Sequence, residues 1–140
     1  MNAGGVVETS AVDLDMDGDL DLIAASPGIN RVVWYENMGE TPPSFSRHVV
    51  SDGIAGARRV VAADLNGDGR LDLVPAPSGS DALDWYENQG DTPLTFVGRR
   101  VADAVGGIQQ MKAADLDNDG RTDLLTTSEA NANIIWHQNS

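Results

Sequence analysis

Asp13-Leu-Asp-Met-Asp-Gly-Asp-Leu-Asp21 carries a carboxylate at every odd position of a nine-residue run. The run returns as Asp64-Leu-Asn-Gly-Asp-Gly-Arg-Leu-Asp72 and as Asp115-Leu-Asp-Asn-Asp-Gly-Arg-Thr-Asp123. Carboxylates crowded onto one short loop repel one another, by about 1 kcal/mol per pair at 4 Å even in water. A loop that folds with them side by side needs a cation among them. Hard oxygen ligands in this number point to calcium; magnesium, with its smaller octahedral shell and retained waters, fits less well.

Counting each loop from its first Asp, side-chain oxygens stand at positions 1, 3 and 5: Asp13, Asp15 and Asp17; Asp64, Asn66 and Asp68; Asp115, Asp117 and Asp119. Gly18, Gly69 and Gly120 occupy position 6, where a helix-loop-helix calcium loop needs glycine for its sharp turn. Position 7 is Asp19, Arg70 and Arg121. A guanidinium cannot ligate a cation, so the contribution shared by all three loops at this position is the backbone carbonyl. Position 9 is Asp21, Asp72 and Asp123. The bidentate Glu of the helical version is missing, since position 12 is Ala24, Pro75 and Thr126. The expectation is one calcium per loop and three per chain, with Asp19 making the first loop the most acidic and the tightest. Asp and Gly also favour plain solvated turns, but three loops in register, each with Gly at position 6, favour the metal reading.

The loops belong to a longer repeat. Asp13, Asp64 and Asp115 are 51 apart (64 − 13 and 115 − 64), as are Trp34, Trp85 and Trp136, and Asn37, Asn88 and Asn139. Phe45 with Phe96 and Pro42 with Pro93 keep the same interval. Within one unit, Arg59–Ala63 leads into the loop, Leu71–Ala76 leaves it, Leu83–Glu87 follows a Ser-Gly-Ser turn, and the pieces Thr95–Val97 and Arg100–Ala102 close the unit. Short strands between turns, four to a unit of this length, predict an all-β fold of antiparallel propeller blades with the acidic loop between first and second strands. Ala11, Ala62, Ala63, Ala113 and Ala114 precede the loops, where an innermost strand near a crowded axis favours small side chains. The expected organisation is a single segment, 1–140, with blades at 1–51, 52–102 and 103–140, the last lacking its fourth strand. Three blades do not close a ring, and an open blade edge invites pairing. This predicts either a homo-oligomer, most simply a dimer closing a six-bladed ring, or a fragment of a longer propeller.

Composition narrows the partners. A net charge of −13 with only 9 Lys and Arg argues against nucleic acid, and the absence of cysteine excludes disulfides and thiolate metal sites. No apolar run approaches the roughly 18 residues of a membrane span. Met1-Asn-Ala-Gly-Gly5 lacks the features of a signal peptide.

These residues resemble the FG-GAP/VCBS repeats, the blades of integrin-α-like β-propellers. The resemblance rests on Ala63-Asp-Leu-Asn-Gly-Asp-Gly-Arg-Leu-Asp-Leu-Val74 with its two counterparts, and on Trp34-Tyr-Glu-Asn37, Trp85-Tyr-Glu-Asn88 and the weaker Trp136-His-Gln-Asn139. It covers nearly the whole chain and implies calcium-ligand roles for the loop positions above. The Phe-Gly and Gly-Ala-Pro words of the integrin branch are poorly matched, although Gly56-Ala-Arg58 holds a comparable place. The chain looks closer to bacterial VCBS proteins, and integrin-type ligand binding is not carried over.

The expected function is a non-enzymatic, calcium-stabilised scaffold or protein-interaction module at the cell surface or outside the cell. A lectin binding glycans between blades through Trp or Tyr is the first alternative. A non-catalytic part of a larger extracellular enzyme is another. Trp34, Trp85, Trp136, Tyr35 and Tyr86 repeat with the blade, which favours packing. Glu36 and Glu87 repeat as well, which favours structure over acid–base chemistry. His48 and His137 are not register-equivalent, so they form no expected catalytic pair; Arg99 is the counterpart of His48. The turns that differ most between units, Pro27–Arg31, Ser78–Ala82 and Glu129–Asn133, are where a binding surface could have diverged.

Overall fold

The structure, a computed structural model, describes residues 8–78, 82–103, 107–128 and 133–140. Its strands are β1 (Glu8–Val12), β2 (Asp21–Ser26), β3 (Arg31–Asn37), β4 (Phe45–Asp52), β5 (Arg59–Ala63), β6 (Asp72–Ala76), β7 (Ala82–Asn88), β8 (Phe96–Asp103), β9 (Ile108–Ala114), β10 (Asp123–Ser128) and β11 (Asn133–His137). They form antiparallel sheets ordered β1-β2-β3-β4, β5-β6-β7-β8 and β9-β10-β11. This is the all-β blade architecture that the repeat predicts, with each acidic loop between the first and second strands of its sheet. The fourth strand is one continuous element and not the two pieces read from the sequence: a bulge between Leu83 and Asp84 keeps β7 and β8 paired across the region. β4 and β8 end at Asp52 and Asp103, one residue past the 51-residue marks.

The pairing register repeats with the sequence. Trp34 faces His48 across β3 and β4, and Trp85 faces Arg99 across β7 and β8; Asn37 faces Phe45 and Asn88 faces Phe96. The first strands lie innermost, β1 beside β5 and β5 beside β9, which accounts for their alanines. Arg59 ties them together, donating from Nη1 to Glu8 at 3.1 Å and from Nε to the Gln109 carbonyl at 2.7 Å.

Side chains alternate across each strand, so each blade presents one apolar face to each neighbour. Leu14, Ile23, Ala25, Val32 and Trp34 of the first blade pack against Val60, Leu73, Tyr86, Leu94 and Phe96 of the second. Val74, Ala76, Leu83 and Trp85 of the second pack against Ile108, Met111 and Leu124 of the third. Each fully buried Leu, Ile or Val is worth about 1.5–3 kcal/mol, so the inter-blade seams carry most of the core. The repeated tryptophans do not share one environment: Trp34 is 2% exposed whereas Trp136 is 47% exposed. Packing therefore accounts for Trp34 and not for Trp136.

The Pro27–Arg31 turn contains a single 3-10 turn, Pro27–Ile29, capped by Asn30 in the left-handed region (φ 52°). The Asn30 side chain accepts the Gly56 N–H at 3.0 Å, so this turn braces the connection to the second blade. Residues 79–81 of the second variable turn and 129–132 of the third lie outside the described residues, as do residues 1–7.

Candidate metal centre

Each loop winds its backbone N–H groups onto its own carboxylates. The position 6 glycine donates to the position 1 Asp: Gly18 to Asp13 at 3.1 Å, Gly69 to Asp64 and Gly120 to Asp115 at 2.9 Å. Position 5 donates to position 3 (Asp17 to Asp15, Asp68 to Asn66, Asp119 to Asp117), and position 7 to position 5 (Asp19 to Asp17, Arg70 to Asp68, Arg121 to Asp119). These bonds fold each loop back on itself and hold its side-chain oxygens close to its own backbone. The winding needs left-handed backbone at position 6, where Gly18, Gly69 and Gly120 have φ between 84° and 96°. It also needs it at position 4, occupied by Met16, Gly67 and Asn118 with φ of 65°, 77° and 61°. Gly and Asn adopt that region readily; Met pays for it.

Position 9 has a second task. Asp21, Asp72 and Asp123 are fully buried. One oxygen of each accepts the N–H of position 2, from Leu14, Leu65 or Leu116 at 3.0–3.1 Å; the other accepts the N–H of Asn37, Asn88 or Asn139 at 2.8–2.9 Å. The carboxylate thus pins the start of the loop to the end of the third strand. The asparagine amide completes the joint by donating to the position 8 carbonyl, of Leu20, Leu71 or Thr122, at 3.2 Å in each blade. Asn88 also donates to the Leu14 carbonyl of the preceding blade's loop at 3.2 Å, and Asn139 to that of Leu65 at 2.7 Å. Sequence reasoning found these asparagines by their spacing and assigned them no role.

The loops differ in how they hold their charge. In the first, oxygens of Asp13, Asp15 and Asp21 lie within 4.8 Å of one another, and Asp13 Oδ1 is buried with no hydrogen-bond partner. Burial, and then the charge of Asp21, push the Asp15 carboxyl above its ordinary value. A buried, unpaired carboxylate oxygen inside a carboxylate cluster is what a cation ligand requires. In the third loop, Asp115, Asp117 and Asp119 lie within the same 4.8 Å limit. Gln138 donates to Asp117 at 2.7 Å, and Arg121 approaches Asp119 at 3.7 Å.

The second loop carries a positive group of its own. Arg70 Nη2 contacts Asp68 at 2.5 Å while Nε donates to the Asn88 carbonyl at 3.1 Å. Asn66 donates its amide to Asp68 and to Glu87. Desolvation would raise the Asp68 carboxyl, but the Arg70 N–H, the Asn66 amide and the Arg70 charge hold it below the ordinary value. Burial raises Asp72, partly offset by its two backbone donors. Twelve of the fifteen sequence-predicted positions lie on the three loops, and Asp21, Asp72 and Asp123 open β2, β6 and β10; Asp17 and Asp19 fall outside the tight cluster of the first loop, and no three-carboxylate cluster forms around Asp64, Asp68 and Asp72 among the described residues.

The candidate acid–base groups have partners. His48 stacks on Trp34 with ring centroids 4.6 Å apart and pairs with Glu36 at 2.8 Å. At the same register Arg99 pairs with Glu87 at 2.6 Å. His137 bonds Thr126 at 2.9 Å, and burial holds its pKa below the ordinary value. Among the described residues no helix is long and apolar enough to cross a membrane.

A family model described as FG-GAP-like repeat matches residues 13–74 and 76–126, and it does not separate the VCBS branch from the others. No curated protein and no solved structure matches the chain.

Proposed function

The chain belongs to the FG-GAP-like repeat family, and we propose that it is a calcium-stabilised, non-enzymatic interaction scaffold working outside the cell. The observation that carries the reading is the first loop, where three carboxylates converge and one buried Asp13 oxygen has no partner. Asp13, Asp15 and Asp17, Asp64, Asn66 and Asp68, and Asp115, Asp117 and Asp119 would hold one calcium per loop, with the position 7 carbonyls and the position 9 carboxylates. The ion would offset two negative charges in each loop and fix its side chains. Extracellular modules of this ligand type bind calcium at about 10⁻⁴ to 10⁻³ M, within reach of extracellular calcium.

The non-enzymatic reading is supported by the fate of the acid–base groups, since Glu36, Glu87, His48 and His137 are each engaged by a neighbouring side chain. A sugar platform at Trp34 is closed off by its burial. Self-association, in the simplest case two chains in one ring, remains part of the proposal and is tested by light scattering with and without calcium.

Thermal unfolding in calcium and in chelator tests the metal reading. At ten times the dissociation constant each site adds about 1.4 kcal/mol, so three sites raise Tm by about 10–15 °C. A Tm identical in chelator and in millimolar calcium contradicts it.

A further inference from the structure

Asn66 and Gly67 stand together at the exposed tip of the second loop, and theirs is the one Asn-Gly pair in the sequence. The fold does not require glycine there. Position 4 takes left-handed backbone in all three loops, with Met16 at φ 65°, Gly67 at 77° and Asn118 at 61°, and a Cβ built on Gly67 would meet nothing within 4 Å. What glycine adds is a backbone nitrogen with no side chain beside it, one residue after an asparagine whose side-chain carbonyl carbon that nitrogen can join in a five-membered ring.

The surrounding groups suit that reaction. The Gly67 N–H donates to Asp64 Oδ1 at 2.7 Å, and position 4 of the other loops makes no such bond among the described residues. The proton lies in the peptide plane, so a carboxylate can hold it while the nitrogen's π electrons, above and below that plane, approach Asn66 Cγ. Asn66 Oδ1, where negative charge would collect, accepts the Asp68 N–H at 3.1 Å. The leaving nitrogen, Asn66 Nδ2, lies 2.9 Å from Asp68 Oδ2 and 3.2 Å from Glu87 Oε1. A base on the nucleophile and a backbone donor on the developing oxyanion are the two aids that acyl transfer uses.

We propose that the second loop is a self-modification site, at which Asp64 draws the proton from Gly67 N, the nitrogen attacks Asn66 Cγ, and ammonia leaves. The new N–Cγ bond closes a succinimide as the Cγ–Nδ2 bond breaks, and the proton taken from Gly67 departs with the ammonia. Water then opens the ring, giving aspartate when it breaks the new bond and isoaspartate when it breaks the original peptide bond; nothing is oxidised or reduced. The aspartate product gives the second loop the carboxylate that Asp15 and Asp117 hold at position 3 of the other two. It also withdraws the amide hydrogens from Asp68 and Glu87, so the loop gains one negative charge and moves toward the state of the first. The reaction needs no metal; its effect on calcium binding rests on the reading proposed above.

The test incubates folded protein in chelator and follows Asn66 by peptide mapping and mass spectrometry, with the same chain unfolded in urea as the reference for local sequence alone. Conversion in the folded chain should be about tenfold faster than in the unfolded one, a positioned base adding about 10² or more and the rigidity of the loop taking part of it back. Equal or slower conversion in folded protein overturns the proposal. Asp64→Asn keeps an oxygen on the Gly67 N–H and removes the base, so it should slow the folded chain about tenfold, with circular dichroism confirming the fold. Gly67→Asn, the residue of the third loop at this position, should suppress conversion at Asn66 and leave the fold intact. Undiminished conversion in either variant overturns the proposal as well. In millimolar calcium the rate should fall, because Asp64 and Asn66 are then engaged as ligands. Asn66→Asp should bind calcium at the second loop about tenfold more tightly, the gain from one added carboxylate charge within about 6 Å of a divalent ion in water. If conversion runs as described and neither calcium effect appears, the metal reading of the second loop fails and the modification stands.

Discussion

The first and second acidic loops share a backbone path and a buried pin but meet their charge in opposite ways. In the first, burial and the neighbouring Asp21 push Asp15 up, and an Asp13 oxygen is left without a partner. In the second, an amide replaces one carboxylate and the Arg70 guanidinium rests on Asp68, whose carboxyl is held down. The path therefore does not depend on the charge pattern; backbone donors and the position 9 carboxylate set it. Charge decides how strongly each loop asks for an ion, and by that criterion the first asks most.

The largest expected effect concerns what the two loops share. Asp21→Ala or Asp72→Ala leaves two backbone N–H groups unpaired and should cost about 3 kcal/mol or more, read by urea unfolding in chelator. If either substitution were harmless without calcium, position 9 would be a ligand only and the shared pin would be wrong. The next effect separates the loops. Asp13→Asn should remove most of the first loop's calcium-dependent stabilisation, about 1.4 kcal/mol at ten times its dissociation constant, and Asp64→Asn less than half of that; equal losses would erase the distinction.

A smaller effect sharpens the role of Arg70. Arg70→Ala should raise calcium affinity at the second loop about fivefold, the worth of removing one positive charge about 8 Å from a divalent ion in water, with the first loop unchanged by calorimetric titration. The smallest effect is acid sensitivity without metal. A carboxyl raised in the folded state stabilises the fold only when protonated, so the contribution of Asp15 is full below the ordinary value of 3.8 and is lost as pH rises through its folded pKa. Asp68 is lowered, so its contribution is present above 3.8 and lost as pH falls through its folded pKa. Carboxyl NMR titration in chelator should place Asp15 above 3.8 and Asp68 below it.

The charge pattern and the 51-residue interval made the strand order, the loop placement and the position 6 glycines legible, because each depends on local chemistry. Three features were hidden for physical reasons. Left-handed backbone at position 4 is suggested by Gly67 and Asn118 but masked by Met16. The asparagine amides act across 74 residues, between blades, where spacing identifies a position without naming its partner. The exposure of Trp136 is invisible to repeat logic, since a repeated residue is buried only if its neighbours repeat with it.

The most direct measurement follows the amides of Gly18, Gly69 and Gly120, each donated to the first Asp of its own loop, during a calcium titration by NMR. The account predicts that all three shift saturably, Gly18 at the lowest calcium and Gly69 at the highest. Amides that stay in place through millimolar calcium, or a Gly69 that responds first, would contradict it.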